Sequence, residues 1–243
     1  INYTSICSPN YLHDSHIRFA LRSGTDAICE KPLVLNPWNI DGLIAMENDT
    51  GRKVNTILQL RLHPTIIKLK EMIKNSASDT KFDVNLTYIA SRGRWYLRSW
   101  KGDEKRAGGI ATNIGVHFYD MLHFVFGELQ ENKVHLSSAS KASGYLEYEK
   151  ARVCWFLSVD AEDIPNDARS AGRTTFRAIT VNDKLIEFSD GFADLHTLSY
   201  NKILEGHGFG LEENRVAIET VAQIRNSKLS PLTGDYHSYL KKI

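Results

Sequence analysis

The first sixty residues alternate short apolar runs with segments of helical pattern, and this alternation restricts the fold more than any other feature. The apolar runs predict strands at 1–7, 26–30 and 54–60, and the segments between them predict helices at about 13–22 and 36–50. Strands that alternate with helices at this spacing form a parallel, doubly wound sheet.

After residue 60 the pattern becomes rich in strands, so we place a domain boundary there. We predict helices at 64–74, about 109–126 and about 211–226, a loop at 91–106, and strands at 82–90, 134–139, 145–149, 153–159, 174–181 and 185–188. The expected fold is therefore an α/β unit followed by an α+β unit whose sheet is mostly antiparallel.

Composition narrows the function classes. The 243 residues are enough for one large domain or two smaller ones, and the net charge of +1 gives no global field that favours nucleic acid or a membrane. No apolar run reaches the length of a membrane span, and we find no signal peptide. Cys7, Cys29 and Cys154 indicate buried, reduced thiols in a cytoplasmic protein. His13 and His16 lack further clustered ligands, so we expect no metal site.

Glu30-Lys31-Pro32 stands where the second predicted strand ends. In open α/β sheets, ligands bind at the carboxyl ends of the strands. A lysine there can be an ammonium donor or, if desolvated, a base; the alternative is a surface lysine in a strand-to-helix turn. Pro32 fixes the backbone beside the lysine and allows a cis peptide bond.

Asn113, His117 and Asp120 are spaced to lie on one face of the helix predicted at about 109–126. Apolar residues fill its other faces, so we expect a buried helix with one polar stripe. A polar stripe that faces a cleft is a functional-site candidate. The alternative is a histidine that is hydrogen-bonded within the core.

The predicted loop at 91–106 is basic and interleaved with aromatic residues. It contains Arg92, Arg94, Arg98, Lys101, Lys105 and Arg106, offset by Asp103 and Glu104, together with Trp95, Tyr96 and Trp100. Arginine forks suit carboxylates and phosphates. The alternatives are a solvated loop and, less well supported at this net charge, a nucleic-acid surface.

Two glycine patterns bear on the fold. Gly206-His207-Gly208-Phe209-Gly210 precedes the last predicted helix and indicates a tight turn first and a substrate wall second. No G-x-G-x-x-G follows a strand anywhere, although a dinucleotide-binding fold carries it on its first strand-to-helix turn. We therefore expect a segment with that phosphate loop ahead of Ile1, roughly 60 to 80 residues long.

Glu30-Lys31-Pro32 after a strand, with Gly108-Gly109, Asn113 and His117 on a later helix, resembles the Gfo/Idh/MocA family of NAD(P)-dependent sugar and inositol oxidoreductases. Within that family the chain is similar to the WlbA/WbpB group of UDP-N-acetylglucosaminuronic acid 3-dehydrogenases, which act in bacterial surface-polysaccharide (LPS and O-antigen) synthesis. The similar segments are 8–13, 94–96, 99–104, 111–118, 206–210 and 231–235. The resemblance implies the remainder of an NAD-binding Rossmann domain at 1–60, truncated at its N-terminus, and a substrate-binding and oligomerisation domain with a large open sheet at 61–243.

The resemblance also implies a site and its partners. Lys31 and His117 would be catalytic and would face the sugar hydroxyl that is oxidised at C3. The cofactor-binding set would be Ser8, Pro9, Asn10, His13, Glu30, Lys31, Gln59 and Trp100, and the substrate-binding set Lys31, Tyr88, Arg92, Arg94, Asn113 and His117. The cofactor would be NAD, the substrate a nucleotide sugar with 2-oxoglutarate as a further hydride acceptor, and the assembly a cytoplasmic homotetramer.

The chain departs from the wider family at Asn113, where many members carry aspartate. A carboxylate there would favour the charged form of His117, and an amide cannot, so we expect Lys31 to be the general base with His117 as its partner. Two other functions are compatible with these residues. One is a dehydrogenase of a free sugar or inositol, and the other is a non-catalytic protein that binds nucleotide sugars.

Overall fold

The structure is a computed structural model that describes residues 1–77, 79–186 and 194–242, and it begins with a parallel three-stranded sheet. Strand β1 (Tyr3–Ile6), helix α1 (His13–Arg22), strand β2 (Asp26–Cys29), helix α2 (Pro37–Thr50) and strand β3 (Val54–Thr56) follow one another. The strands pair in the order β1-β2-β3, and both pairings are parallel. The predicted parallel sheet is thereby confirmed.

The predicted third strand is wrong at its carboxyl end, because β3 stops at Thr56 and a 3-10 turn covers Gln59–Leu62. The Leu58 N–H donates to the Thr56 carbonyl over 3.1 Å, which closes a tight turn that ends the strand. This turn matters for the site, since it carries Arg61 inward to a buried carboxylate.

The rest of the chain forms a six-stranded sheet with helices. Its elements are α3 (Pro64–Lys74), β4 (Phe82–Ala90), α4 (Arg94–Arg98), α5 (Glu104–Ala107), a π turn (Ala111–Gly115) that runs into α6 (Val116–Phe126), β5 (Leu129–Ser137), β6 (Lys141–Tyr148), β7 (Ala151–Ser158), α7 (Asn166–Ser170), β8 (Thr175–Val181), β9 (Lys184–Leu185), α8 (Leu195–Leu204) and α9 (Leu211–Asn226). The strand order is β5-β6-β7-β4-β8-β9, and only β4 and β7 pair in parallel. The predicted mostly antiparallel sheet is confirmed.

Several boundaries differ from prediction. The predicted loop at 91–106 contains the short helices α4 and α5, and α8 was not predicted. Strands β5 and β6 begin earlier than expected, because they form one long hairpin in which two register shifts absorb the irregular residues. The strand predicted at 185–188 falls partly outside the described residues, which show only Lys184–Leu185 as β9.

One continuous apolar core joins the two sheets and the helices between them. Helix α8 covers a second face of the small sheet, where Ile203 packs with Ile28 and Ile57. Helix α9 returns to the first unit: Arg225 donates to Leu35 O and Asn36 Oδ1 over 3.0 and 2.8 Å.

A C-terminal tail at 227–242 crosses the large sheet and is held there by contacts of His237. The Nδ1 atom of His237 accepts from the Tyr239 N–H over 3.2 Å, so Nε2 carries the proton and donates to Thr87 Oγ1 over 2.9 Å. The imidazole also stacks on Phe156. Burial lowers the pKa of His237 to about 4. In the described part of the chain, no helix combines the length and apolarity needed to cross a membrane.

Candidate active site

A cleft of about 130 Å³ gathers polar residues from both units of the fold. It is lined by Lys31, Tyr88, Arg92, Tyr96, Lys101, Asn113, Ile114 and His117. Five of these residues were predicted from the sequence: Lys31, Tyr88, Arg92, Asn113 and His117. Tyr96, Lys101 and Ile114 were not predicted as site residues. Arg94, which was predicted to bind the substrate, is exposed in the first turn of α4 and does not line this cleft.

Lys31 lies just beyond β2, after Glu30, and the Lys31–Pro32 bond is cis. The amine is partly buried among other cations. Burial lowers its pKa; the Glu30 charge opposes that shift, while the charges of Lys101 and Arg92 add to it. Lys31 is therefore more acidic than a lysine in water, and the positive groups around it favour the binding of an anion.

His117 contributes a neutral imidazole to the cleft. Both ring nitrogens are buried, and neither has a hydrogen-bond partner among the described residues. Burial lowers the pKa of His117 well below its usual range, and the nearby charges of Lys31 and Arg177 lower it further. At neutral pH the ring can therefore accept a proton from a ligand.

A chain of amide hydrogen bonds crosses the cleft from the β1 end to α4. Asn10 Nδ2 donates to Ala107 O over 3.1 Å and to Asn113 Oδ1 over 3.2 Å. Asn113 Nδ2 in turn donates to the hydroxyl of Tyr96 over 2.7 Å. Asn113 thus makes its hydrogen bonds to Asn10 and Tyr96, which leaves the His117 ring free for a ligand.

The π turn and α6 together form the helix that carries Asn113 and His117, which we call the site helix. Gly115 lets this helix approach the sheet closely, because a Cβ there would lie 2.7 Å from Leu157 Cδ1 and 2.7 Å from the Tyr119 ring. A π turn holds more residues than an α turn, and such turns are frequent at functional sites.

The predicted single polar stripe on the site helix is wrong for Asp120, which does not line the cleft. Its carboxylate forms a buried ion pair with Arg61, whose Nη2 lies 2.6 Å from Asp120 Oδ1 and whose Nε lies 3.0 Å from Oδ2. Arg61 also donates to Glu213 O over 2.9 Å. The pair ties the site helix to the turn after β3 and to the start of α9.

The residues predicted to bind the cofactor cluster around the carboxyl ends of β1 and β2. Ser8 and Glu30 follow these strands, and Glu30 lies 3.3 Å from His196 Nε2. The two ring nitrogens of His13 lie 2.7 Å from Pro32 O and 2.8 Å from Ser8 O. His13 is 1% exposed, so it joins these two backbone segments rather than offering a free ring nitrogen.

The remaining members of that predicted set are Pro9, Gln59 and Trp100. Pro9 directly precedes the turn Asn10–Leu12, Gln59 begins the 3-10 turn after β3, and Trp100 begins the turn that carries Lys101. Whether these side chains touch a cofactor stays a prediction.

The glycine-rich segment at 206–210 forms the predicted tight turn. Phe209 O accepts from the Thr56 N–H over 2.8 Å, and the Glu213 side chain caps Gly210 N over 3.1 Å. A Cβ at Gly208 would lie 2.2 Å from Asn55 Oδ1, so this segment needs glycine to pass β3. The described residues contain no cluster of metal-ligating side chains.

Comparison with known proteins gives matches along most of the chain. A family model described as an oxidoreductase family NAD-binding Rossmann fold (Gfo/Idh/MocA) matches residues 1–57, and the model of that family's C-terminal alpha/beta domain matches residues 70–167. Among curated proteins, D-glucoside 3-dehydrogenase of Escherichia coli is 27% identical over 144 residues, which are 56% of this chain and 39% of that protein.

Two solved structures resemble the chain closely. The WlbA (WbpB) dehydrogenase from Thermus thermophilus in complex with NAD and alpha-ketoglutarate is 48% identical, has a TM-score of 0.94, and is matched over 98% of this chain and 77% of that one. The same dehydrogenase in complex with NAD and UDP-GlcNAcA is 47% identical with a TM-score of 0.93 and the same coverage. The chain spans less than half the length of the curated relatives it matches.

Proposed function

Because this chain belongs to the Gfo/Idh/MocA oxidoreductase family, we propose that its protein is an NAD-dependent dehydrogenase that oxidises the C3 hydroxyl of a UDP-N-acetylglucosaminuronic-acid-type nucleotide sugar to a ketone. The observation that carries this proposal is the cleft itself, where a neutral imidazole and a partly buried lysine lie among further cations. The relative from Thermus thermophilus supports it, since that protein binds NAD and UDP-GlcNAcA.

The described residues fit NAD at the carboxyl ends of β1 and β2. Parallel sheets bind ligands at that edge, and both unpartnered nitrogens of His117 are in the adjoining cleft. Ser8, Pro9, Asn10 and Glu30 would hold the nicotinamide end. When bound, NAD supplies the hydride acceptor, and the protein manages the proton.

We assign to His117 the role of accepting the proton of the substrate hydroxyl, and to Lys31 the role of stabilising the hydroxyl oxygen. His117 is neutral, so it can take the hydroxyl proton at neutral pH, while the Lys31 ammonium donates a hydrogen bond to the same oxygen and stabilises the negative charge that develops on it. This reverses the sequence-based preference for Lys31 as the base. The reason is that both ring nitrogens of His117 lack a hydrogen-bond partner among the described residues, so the neutral ring is free to accept from the substrate hydroxyl.

The cations of the cleft favour an anionic substrate. Arg92 and Lys101 line it beside Lys31, and their charges act on the Lys31 amine. A neutral free sugar or an inositol would make no use of these charges, so a sugar acid fits better than the substrates of D-glucoside 3-dehydrogenase or inositol 2-dehydrogenase.

The wider setting follows from the same proposal. We propose 2-oxoglutarate as a further hydride acceptor, because the Thermus thermophilus relative binds alpha-ketoglutarate. We also propose a cytoplasmic homotetramer that serves bacterial surface-polysaccharide synthesis, in line with three cysteines that form no disulfide. The division into a nucleotide-binding unit at 1–60 and a substrate-binding and oligomerisation unit at 61–243 belongs to this proposal.

Steady-state formation of NADH tests the function. We expect turnover of the UDP-sugar acid, and we expect Arg92→Ala to raise KM for the acid more than KM for its uncharged analogue. Arg98→Ala is the matched control, since Arg98 is an exposed arginine at the end of α4 and does not line the cleft. Arg94→Ala tests whether Arg94 belongs with Arg92 or with Arg98. Equal effects of Arg92→Ala on both substrates would contradict the anionic preference, and no turnover of either would contradict the function.

A further inference from the structure

The hydroxyl of Tyr96 is a buried polar group of the cleft that the proton chemistry does not use. The side chain comes from α4, is 2% exposed and lines the cleft with Lys31, Asn113 and His117. Its oxygen accepts a hydrogen bond from Asn113 Nδ2 over 2.7 Å. No described residue accepts its proton.

The direction of that hydrogen bond follows from the main-chain carbonyl of Ala107, which is linked to Tyr96 through the side chains of Asn10 and Asn113. Ala107 O can only accept, so the Asn10 atom 3.1 Å from it is the amide nitrogen. The same nitrogen lies 3.2 Å from Asn113, and the Asn113 atom that faces it must therefore be the acceptor Oδ1. The nitrogen of Asn113 is then the atom that faces Tyr96.

We propose that Tyr96 donates its hydroxyl proton to a carboxylate oxygen of the sugar acid, and that Asn10 and Asn113 are positioning residues that keep Tyr96 a donor. A phenol has one proton, and because Asn113 already donates to the Tyr96 oxygen, that proton is left for a ligand in the cleft. The inference rests on the proposed dehydrogenase function and adds to it a specificity-determining residue.

The surroundings of Tyr96 suit this role. Burial raises its pKa, and the Asn113 hydrogen bond and the Arg92 charge oppose that shift without cancelling it, so the phenol keeps its proton. Arg92 lines the same cleft as Tyr96, so one ligand can meet both a guanidinium and the phenol hydroxyl there. A carboxylate between the two would receive a charge-assisted hydrogen bond from each.

Tyr96→Phe removes only the hydroxyl and is the direct test. We expect KM for the UDP-sugar acid to rise about ten- to a hundredfold, as for a lost hydrogen bond to a charged group, with a smaller rise for the uncharged analogue. The affinity for NAD should not change. Tyr236→Phe is the control, since it removes a tyrosine hydroxyl from the C-terminal tail, where the ring lies against His135.

Asn113→Asp tests the direction of the hydrogen bonds that link Asn10, Asn113 and Tyr96. An aspartate at this position would accept from both Asn10 and Tyr96, so the phenol would give its proton to the protein instead of the substrate. KM for the acid should rise in Asn113→Asp, and adding Tyr96→Phe should then cause little further change. If the increases in KM for the acid in the two single variants multiply in the double variant, the inference is overturned, because Tyr96 would then act independently of Asn113.

Failure of the proposed function is distinguishable from failure of this inference. If the unmodified protein does not oxidise the acid, the function is wrong, and calorimetric binding of the UDP-sugar acid still decides the role of Tyr96. Weaker binding in Tyr96→Phe than in Tyr236→Phe supports the inference, and equal binding in both overturns it.

Discussion

Asp120→Asn should destabilise the protein by about 3–5 kcal/mol, because it leaves the buried Arg61 charge without a counterion. The two side chains are 8% and 2% exposed, and the guanidinium makes three contacts with the carboxylate at 2.6 to 3.2 Å. For a chain of this size, such a loss corresponds to a fall in Tm of about 10 °C.

The structure also predicts that removing both charges costs far less than removing one. Burial raises the pKa of Asp120, and Arg61 offsets only part of that shift, so the carboxylate loses more by leaving water than it regains from the pair. The double variant Arg61→Met/Asp120→Leu removes both the cost of burying the two charges and the attraction between them. The double variant should therefore lie within about 1 kcal/mol of the unmodified protein or exceed it in stability.

Urea unfolding followed by circular dichroism measures these differences. Asp83→Asn is the matched control, since Asp83 forms an ion pair of 2.8 Å with Arg152 on the surface, with side chains 66% and 45% exposed, and should cost about 1 kcal/mol or less. The reasoning is refuted if Asp120→Asn costs no more than this control, or if the double variant is as unstable as the single one.

Three further predictions follow from groups described above. The pH profile of kcat/KM should fall at alkaline pH as Lys31 loses its proton; a rise through that range would instead make Lys31 the base. Stability should fall by about 3 kcal/mol from pH 6.5 to about 4, because the unfolded chain binds a proton at His237 that the folded chain excludes; urea midpoints measured against pH should lose most of this slope in His237→Gln. Gly115→Ala should cost about 1–3 kcal/mol and lower kcat, since the added Cβ meets Leu157 and Tyr119 and moves the site helix off the sheet; an unchanged melting temperature would contradict that packing argument.

The sequence predicted best those elements whose ends are marked by proline or glycine. Helix α2 begins at Pro37 and is followed by Gly51, which adopts a positive φ of 66°, and its bounds were predicted closely. Helix α8 begins at Leu195 without a proline or a side-chain cap, and its exposed Leu198 and Leu204 obscure the apolar face that packs on Ile28 and Ile57. It was therefore missed.

The site shows the same division between local and tertiary information. Lys31 and His117 could be named from motifs, but Tyr96 lies in a five-residue helix that is too short to show a periodicity, so nothing local marks it as buried. Asp120 was placed in the cleft from its spacing to Asn113 and His117 alone. Its true partner, Arg61, lies 59 residues away along the chain and could be found only in the folded structure.

The π turn at Ala111–Gly115 makes the site depend on chain length as well as on side-chain identity. Deleting Ile114 would allow regular α geometry and would change the angle between Asn113 and His117 around the helix axis. Asn113 would then lose Asn10 and Tyr96, although all the polar residues of the cleft would still be present. A single deletion can thus disable the site by changing the phase of one helix, and a scan of substitutions would never detect that vulnerability.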